Sequence, residues 1–91
     1  MGECASRPLA DDLIRALGRP DLPFGSVARL TEATREYIGR ESLVKYLVAM
    51  ECVVRRNPPP AVLAMVRTEM RWAIGEIRGV PPPYEFFHSG A

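Results

Sequence analysis

The chain has 91 residues, 47% hydrophobic and 25% charged, with a formal net charge of +1. That length gives one domain with a modest core, and the composition excludes a disordered tail. The balanced charge argues against a protein held to nucleic acid by a general cationic surplus.

Ser6 is placed to cap a first helix from about Arg7 to Leu17, with Pro8 in its first turn, where no amide hydrogen is needed. Asp11 and Asp12 lie toward its positive end, and Leu9, Leu13, Ile14 and Leu17 form its apolar face. Gly18 is suited to a left-handed C-cap. The stretch from Gly18 to Gly25 holds Pro20, Asp21 and Pro23 and reads as a loop, with Leu22 and Phe24 folding back onto the core.

Ser26 is the expected N-cap of a second helix whose inner face is Val27, Leu30, Tyr37 and Ile38. Gly39 then ends or kinks it. A third helix is expected from about Arg40 to Arg56. Its β-branched residues Val44, Val48, Val53 and Val54 also suit a strand. Helix is favoured by the length of the run, the missing two-residue alternation, and the i,i+4 pairs Glu41–Lys45 and Glu51–Arg55. Asn57 and Pro58, Pro59 and Pro60 stop this helix and open a fourth, with Asn57 as its N-cap. The fourth helix runs from about Pro59 to Arg78, with Leu63, Val66, Met70, Ile74 and Ile77 facing inward and Gly79 as its cap.

The expected fold is therefore all-α: a small bundle of about four helices, the third and fourth forming an antiparallel hairpin. Residues 1–79 make a single helical domain and residues 80–91 a Pro-rich, aromatic tail.

Chemistry-bearing patterns are sparse. Two cysteines (Cys4 and Cys52) and a lone His88 are too few for a structural zinc site, and no metal or cofactor is expected. Asp11 and Asp12 are adjacent, so they diverge on a helix and make no catalytic dyad. No glycine-rich phosphate loop is present. An enzyme is not expected; the one route to catalysis would be an Arg-lined bundle using Arg29, Arg35, Arg55, Arg67 and Arg71 for electrostatic stabilisation.

The Gly39 junction invites a helix-turn-helix reading, which makes a DNA-binding regulator an alternative. Arg55, Arg56, Arg67, Arg71 and Arg78 would meet phosphates. Against it, the third helix presents Leu43, Val44, Leu47, Val48 and Met50, and Glu51, Glu69 and Glu76 interleave with the arginines. Nucleic acid is therefore not the expected partner.

The positive signal is apolar excess. The third helix is apolar round most of its circumference, and Met65 and Trp72 form a second strip on the fourth. More apolar helix surface than one core can cover points to association. The expected function is a non-catalytic protein–protein interaction module, a homodimer or a partner of another protein. Its candidate interface residues are Tyr46, Met50, Met65 and Trp72.

The ends carry two short motifs. The start, Met1-Gly2-Glu3-Cys4-Ala5-Ser6, fits the N-myristoylation pattern at Gly2, with Cys4 available for a second acyl chain. Pro81, Pro82, Pro83 and Tyr84 are similar to a Pro-Pro-x-Tyr ligand of WW domains. Together these ends, about ten residues, resemble a retroviral matrix protein with its late-budding motif. The resemblance implies an acylated, membrane-associated protein. Glu3 beside the glycine and a net charge of +1 depart from that pattern, since such domains carry a strongly basic membrane face. Otherwise no run approaches the roughly 20 apolar residues of a membrane span. No secretory signal pattern is present, and a cytoplasmic location is expected.

Overall fold

The computed structural model describes residues 2–79, with side chains from Leu9 onward. These residues form four α-helices and one short 3-10 turn, with no strand among them. Helix α1 is Gly2–Leu17, α2 is Phe24–Tyr37, α3 is Leu43–Arg55 and α4 is Pro60–Arg78; the 3-10 turn Arg40–Ser42 leads into α3. The fold is the expected all-α bundle.

Two starts lie earlier than their expected caps. Helix α1 already runs from Gly2, so Ser6 is not a cap and Pro8 sits in the second turn. There it leaves the Cys4 carbonyl without its i+4 donor. Helix α2 begins at Phe24 behind Pro23, and Ser26 donates its amide to the Pro23 carbonyl from within the first turn. Proline fixes φ near the value the entry needs, and this substitutes for a capping side chain.

Gly39 breaks the chain rather than bending it. Ile38 and Gly39 are both extended, which separates α2 from the turn before α3. The β-branched stretch is helical throughout. Gly18 has no positive φ and donates to the Ile14 carbonyl, so it closes α1 without the expected left-handed cap. That conformation appears instead at Asn57 (φ 52°) and Gly79 (φ 70°). Asn57 donates its amide to the Val54 carbonyl. It therefore finishes α3 and does not cap α4, a use of left-handed geometry that asparagine tolerates. Helix α4 starts with Pro60 behind Pro59 and ends at Gly79, whose amide bonds the Gly75 carbonyl.

The main packing runs round a ring: α1 on α2, α2 on α4, α4 on α3, α3 on α1. Contacts fix the directions. Arg40 reaches the Glu76 carbonyl and Tyr46 reaches Glu69, so α3 and α4 are antiparallel. Thr31 lies by Met65 and Arg35 by Glu69, so α2 and α4 run parallel. The core is Ile14, Leu17, Val27, Leu43, Tyr46, Ala49, Met50, Val53, Val66 and Ala73. Leu22 and Phe24 fold back against it, as their sequence context suggested.

Several inward faces are rotated from expectation. On α1, Ala10 is buried while Leu9 stands exposed. On α2, Thr31 and Thr34 are buried and Tyr37 is exposed. Both threonines donate to carbonyls of their own helix, at Ala28 and Leu30, so burial leaves neither hydroxyl unpaired. On α4 the buried residues are Val66, Glu69 and Ala73, whereas Ile74 and Ile77 are exposed.

Arg56 ties the far ends together. Its guanidinium donates to the carbonyls of Arg19 (3.2 Å) and Leu22 and lies 4.7 Å from the centre of the Phe24 ring. This one side chain docks the end of α3 onto the α1–α2 connection.

Candidate functional site: a buried polar cluster and an exposed helix face

Three helices meet at a cluster that the chain builds from four residues. Tyr46 on α3 is fully buried and donates its hydroxyl to Glu69 Oε1 at 2.8 Å. Arg35 on α2 donates to Glu69 Oε2 at 3.2 Å and covers the Trp72 ring at 4.3 Å. Trp72 meets Tyr46 edge to face, with ring centres 6.2 Å apart. The Glu69 side chain keeps only 10% of its exposure, against 43% for Arg35. A buried carboxylate is costly unless its oxygens are hydrogen-bonded, and here each oxygen has its own donor.

The cluster also fixes the ionisation of Tyr46. Burial raises its pKa well above the ordinary tyrosine value, and the hydrogen bond and negative charge of Glu69 raise it further. The folded state thus holds this proton more tightly than the unfolded chain does. The resulting stabilisation is fully present below pH of about 10, the unfolded value, and is lost as pH rises beyond it. In urea titrations from pH 8 to 11, wild type should lose stability more steeply than Tyr46→Phe above pH 10. Parallel curves would show that the phenol gains no proton affinity on folding.

The structure places two of the four candidate interface residues on the inside, and one of them, Tyr46, meets a third, Trp72, edge to face. Tyr46 and Met50 have no exposed surface, so neither can offer area to a partner in the folded protomer. Met65 and Trp72 are half-buried and pack against the core. Their strip is the α2-facing flank of α4, with the Met65 sulfur 3.9 Å from the Thr31 hydroxyl.

Exposed apolar side chains lie elsewhere. Val44 and Val48 are 60% and 58% exposed, one turn apart on α3. A 3.6-residue period puts them opposite Tyr46, Met50 and Val53. Ile74 and Ile77 add a smaller exposed patch on α4. Beside Val48 a shallow groove of about 420 Å³ runs between α1 and α3, lined by Ile14, Gly18, Pro20, Ala49 and Cys52 among others. Its basic rim is matched by acids: Arg15 with Asp12, Arg19 with Asp21 and Lys45 with Asp11. The Arg19 pairing holds the Asp21 carboxyl below its usual range.

One charge pattern differs from its appearance in the sequence. Arg67, Arg71 and Arg78 are all exposed on α4 and fall within an arc of about 40°. Glu69 is buried against Tyr46, and Glu76 projects with it on the other flank. The acids that alternate with these arginines along the chain do not alternate with them on the surface.

Among the described residues no group of His, Cys, Asp and Glu could hold a metal ion, and no helix is long and apolar enough to cross a membrane. Gly2 and Cys4 fall in the first turn of α1, whose side chains lie outside those described; Pro81, Pro82 and Tyr84 lie outside the described residues altogether. No known protein family, curated protein or solved structure matches this chain.

Proposed function

We propose that this chain is a non-catalytic protein–protein interaction module that self-associates through the outer face of α3. The supporting observation is the exposure of Val44 and Val48, adjacent on a helix whose opposite face, Leu43, Tyr46, Ala49, Met50 and Val53, already fills the core. Two large aliphatic side chains on one turn cost hydration free energy that a covering surface would recover, about 25 cal/mol per Å² removed from water.

Sedimentation velocity tests this directly. The wild-type chain should form a concentration-dependent dimer, and the double variant Val44→Glu/Val48→Glu should remain a monomer. Because both positions are on the surface, its unfolding free energy should stay within about 0.5 kcal/mol of wild type for each change. A wild-type chain that is monomeric at every attainable concentration would overturn self-association.

The arginine stripe on α4 supports a second reading, contact with nucleic acid phosphates. Binding through Arg67, Arg71 and Arg78 should weaken with salt at a log–log slope of roughly −2.7, about −0.9 for each neutralised phosphate. A fluorescent DNA duplex that shows no anisotropy change at low salt would end this reading.

A further inference from the structure

The flank of α4 that carries the arginines is uncovered among the described residues. Arg67, Arg71 and Arg78 are exposed, and none has an ion-pair or hydrogen-bond partner there. By contrast Arg15, Arg19, Arg35, Lys45 and Arg55 each hold a carboxylate. Ile74 stands about 20° from Arg67 round the helix, with Ile77 about 60° further on. Both isoleucines are 38% exposed. An apolar strip thus runs beside a line of uncompensated positive charge.

The end of the helix aims the chain back at this strip. Gly79 is left-handed (φ 70°), and its amide returns to the Gly75 carbonyl. In such endings the next residue commonly packs on an apolar side chain about five or six positions earlier. Here the next residue is Val80, and Ile74 stands six positions before it. Pro81, Pro82 and Pro83 follow, a run that favours extended backbone of about 3.1 Å per residue. Residues 80–91 contain one acid, Glu85, and no lysine or arginine.

We infer that residues 80–87 of the same chain turn back along α4 and cover this flank, with Val80 on Ile74 and Glu85 between Arg67 and Arg71. The distances agree. Glu85 stands six residues past Gly79, about 19 Å of extended chain. Arg67 stands twelve residues before Gly79, about 18 Å of helix. If the turn takes up two of those six residues, about 12 Å remain, which brings Glu85 level with Arg71. Phe86 and Phe87 then reach the level of Leu63, half-buried on the same flank. This inference goes beyond the self-association proposed above and is independent of it, because it concerns α4 and not the outer face of α3. It makes the tail a competitor for any phosphate at these arginines.

Thiol protection tests this on the full chain. In a Cys4→Ser/Cys52→Ser background, Ile74→Cys is alkylated with iodoacetamide at a concentration where the protein sediments as a monomer. Glu85→Ser/Phe86→Ser/Phe87→Ser should raise the alkylation rate severalfold. The same tail changes should leave the rate unmoved at Thr68→Cys, an exposed position about 120° round α4 from Ile74. Arg67→Glu/Arg71→Glu should also speed alkylation of Ile74→Cys, and adding Glu85→Arg should restore its protection. Equal rates with the unchanged and the substituted tail overturn the inference and leave the arginines to an external anion. Protection that grows with protein concentration gives the flank to a second copy and overturns it too. Protection that ignores the charge reversals overturns the placing of Glu85.

Discussion

Tyr46→Ala should lower the melting temperature by at least about 12 °C. The side chain is fully buried at the junction of α2, α3 and α4, where its ring meets Trp72 and its hydroxyl serves Glu69. Truncating a large buried aromatic costs about 3–5 kcal/mol, because the surroundings only partly collapse into the void. Each kcal/mol corresponds to roughly 4–8 °C in a domain of this size. Total stability for about 80 ordered residues is only roughly 4–12 kcal/mol, so the variant stands near the limit of folding. Tyr46→Phe isolates the hydroxyl and should cost about 1.5–3 kcal/mol, because it leaves a buried carboxylate oxygen without its donor. Thermal denaturation followed by circular dichroism reads both. A fall below about 5 °C for Tyr46→Ala would mean that the ring is not packed as described.

Glu69→Ala should destabilise by about 2–3 kcal/mol through a different cause. It removes the acceptor of a buried hydroxyl, and an orphaned buried donor costs about 1–3 kcal/mol. Arg35 loses its partner too, but its guanidinium is partly solvated and adds little. The two variants are therefore coupled. In a Tyr46→Phe background no hydroxyl is orphaned, and Glu69→Ala should cost about 1 kcal/mol less than it does in wild type. Replacing both members by apolar groups, as Tyr46→Phe/Glu69→Leu, should recover most of the loss. Strict additivity in a urea-denaturation cycle would show that the pair does not act as a unit.

The number of helices and their pairing were legible in the sequence because proline, glycine and asparagine act locally. Pro58 to Pro60 and Gly39 separate the helices, and Gly79 ends α4 with the left-handed geometry expected of it. What each helix turns inward was less legible. On α4 the periodicity of Leu63, Val66, Met70, Ile74 and Ile77 pointed to one face; Val66 is buried as expected, but the residues buried beside it are Glu69 and Ala73, while Ile74 and Ile77 are exposed. A glutamate reads as solvent-facing until its donors are known, and those stand 23 and 34 residues away in sequence. The buried threonines of α2 misled for a related reason, since their hydroxyls are satisfied within their own helix. The surplus of apolar surface on α3 was legible, but its location was not. Tyr46 and Met50 went inside, and Val44 and Val48 remained outside.

Glu69 has one more consequence, for the rotational setting of α4. Counting Met65 and Trp72 on one flank and Leu63, Met70, Ile74 and Ile77 on the other, apolar side chains span about 200° of its circumference. Greasy contact is nearly indifferent to turning such a cylinder by a few tens of degrees, because one aliphatic group simply replaces another. A carboxylate that must sit between a phenol and a guanidinium tolerates no such slippage. Glu69, the one buried acid among the described residues, thus acts as the key that indexes the helix, choosing one angle from several that water exclusion alone would leave degenerate.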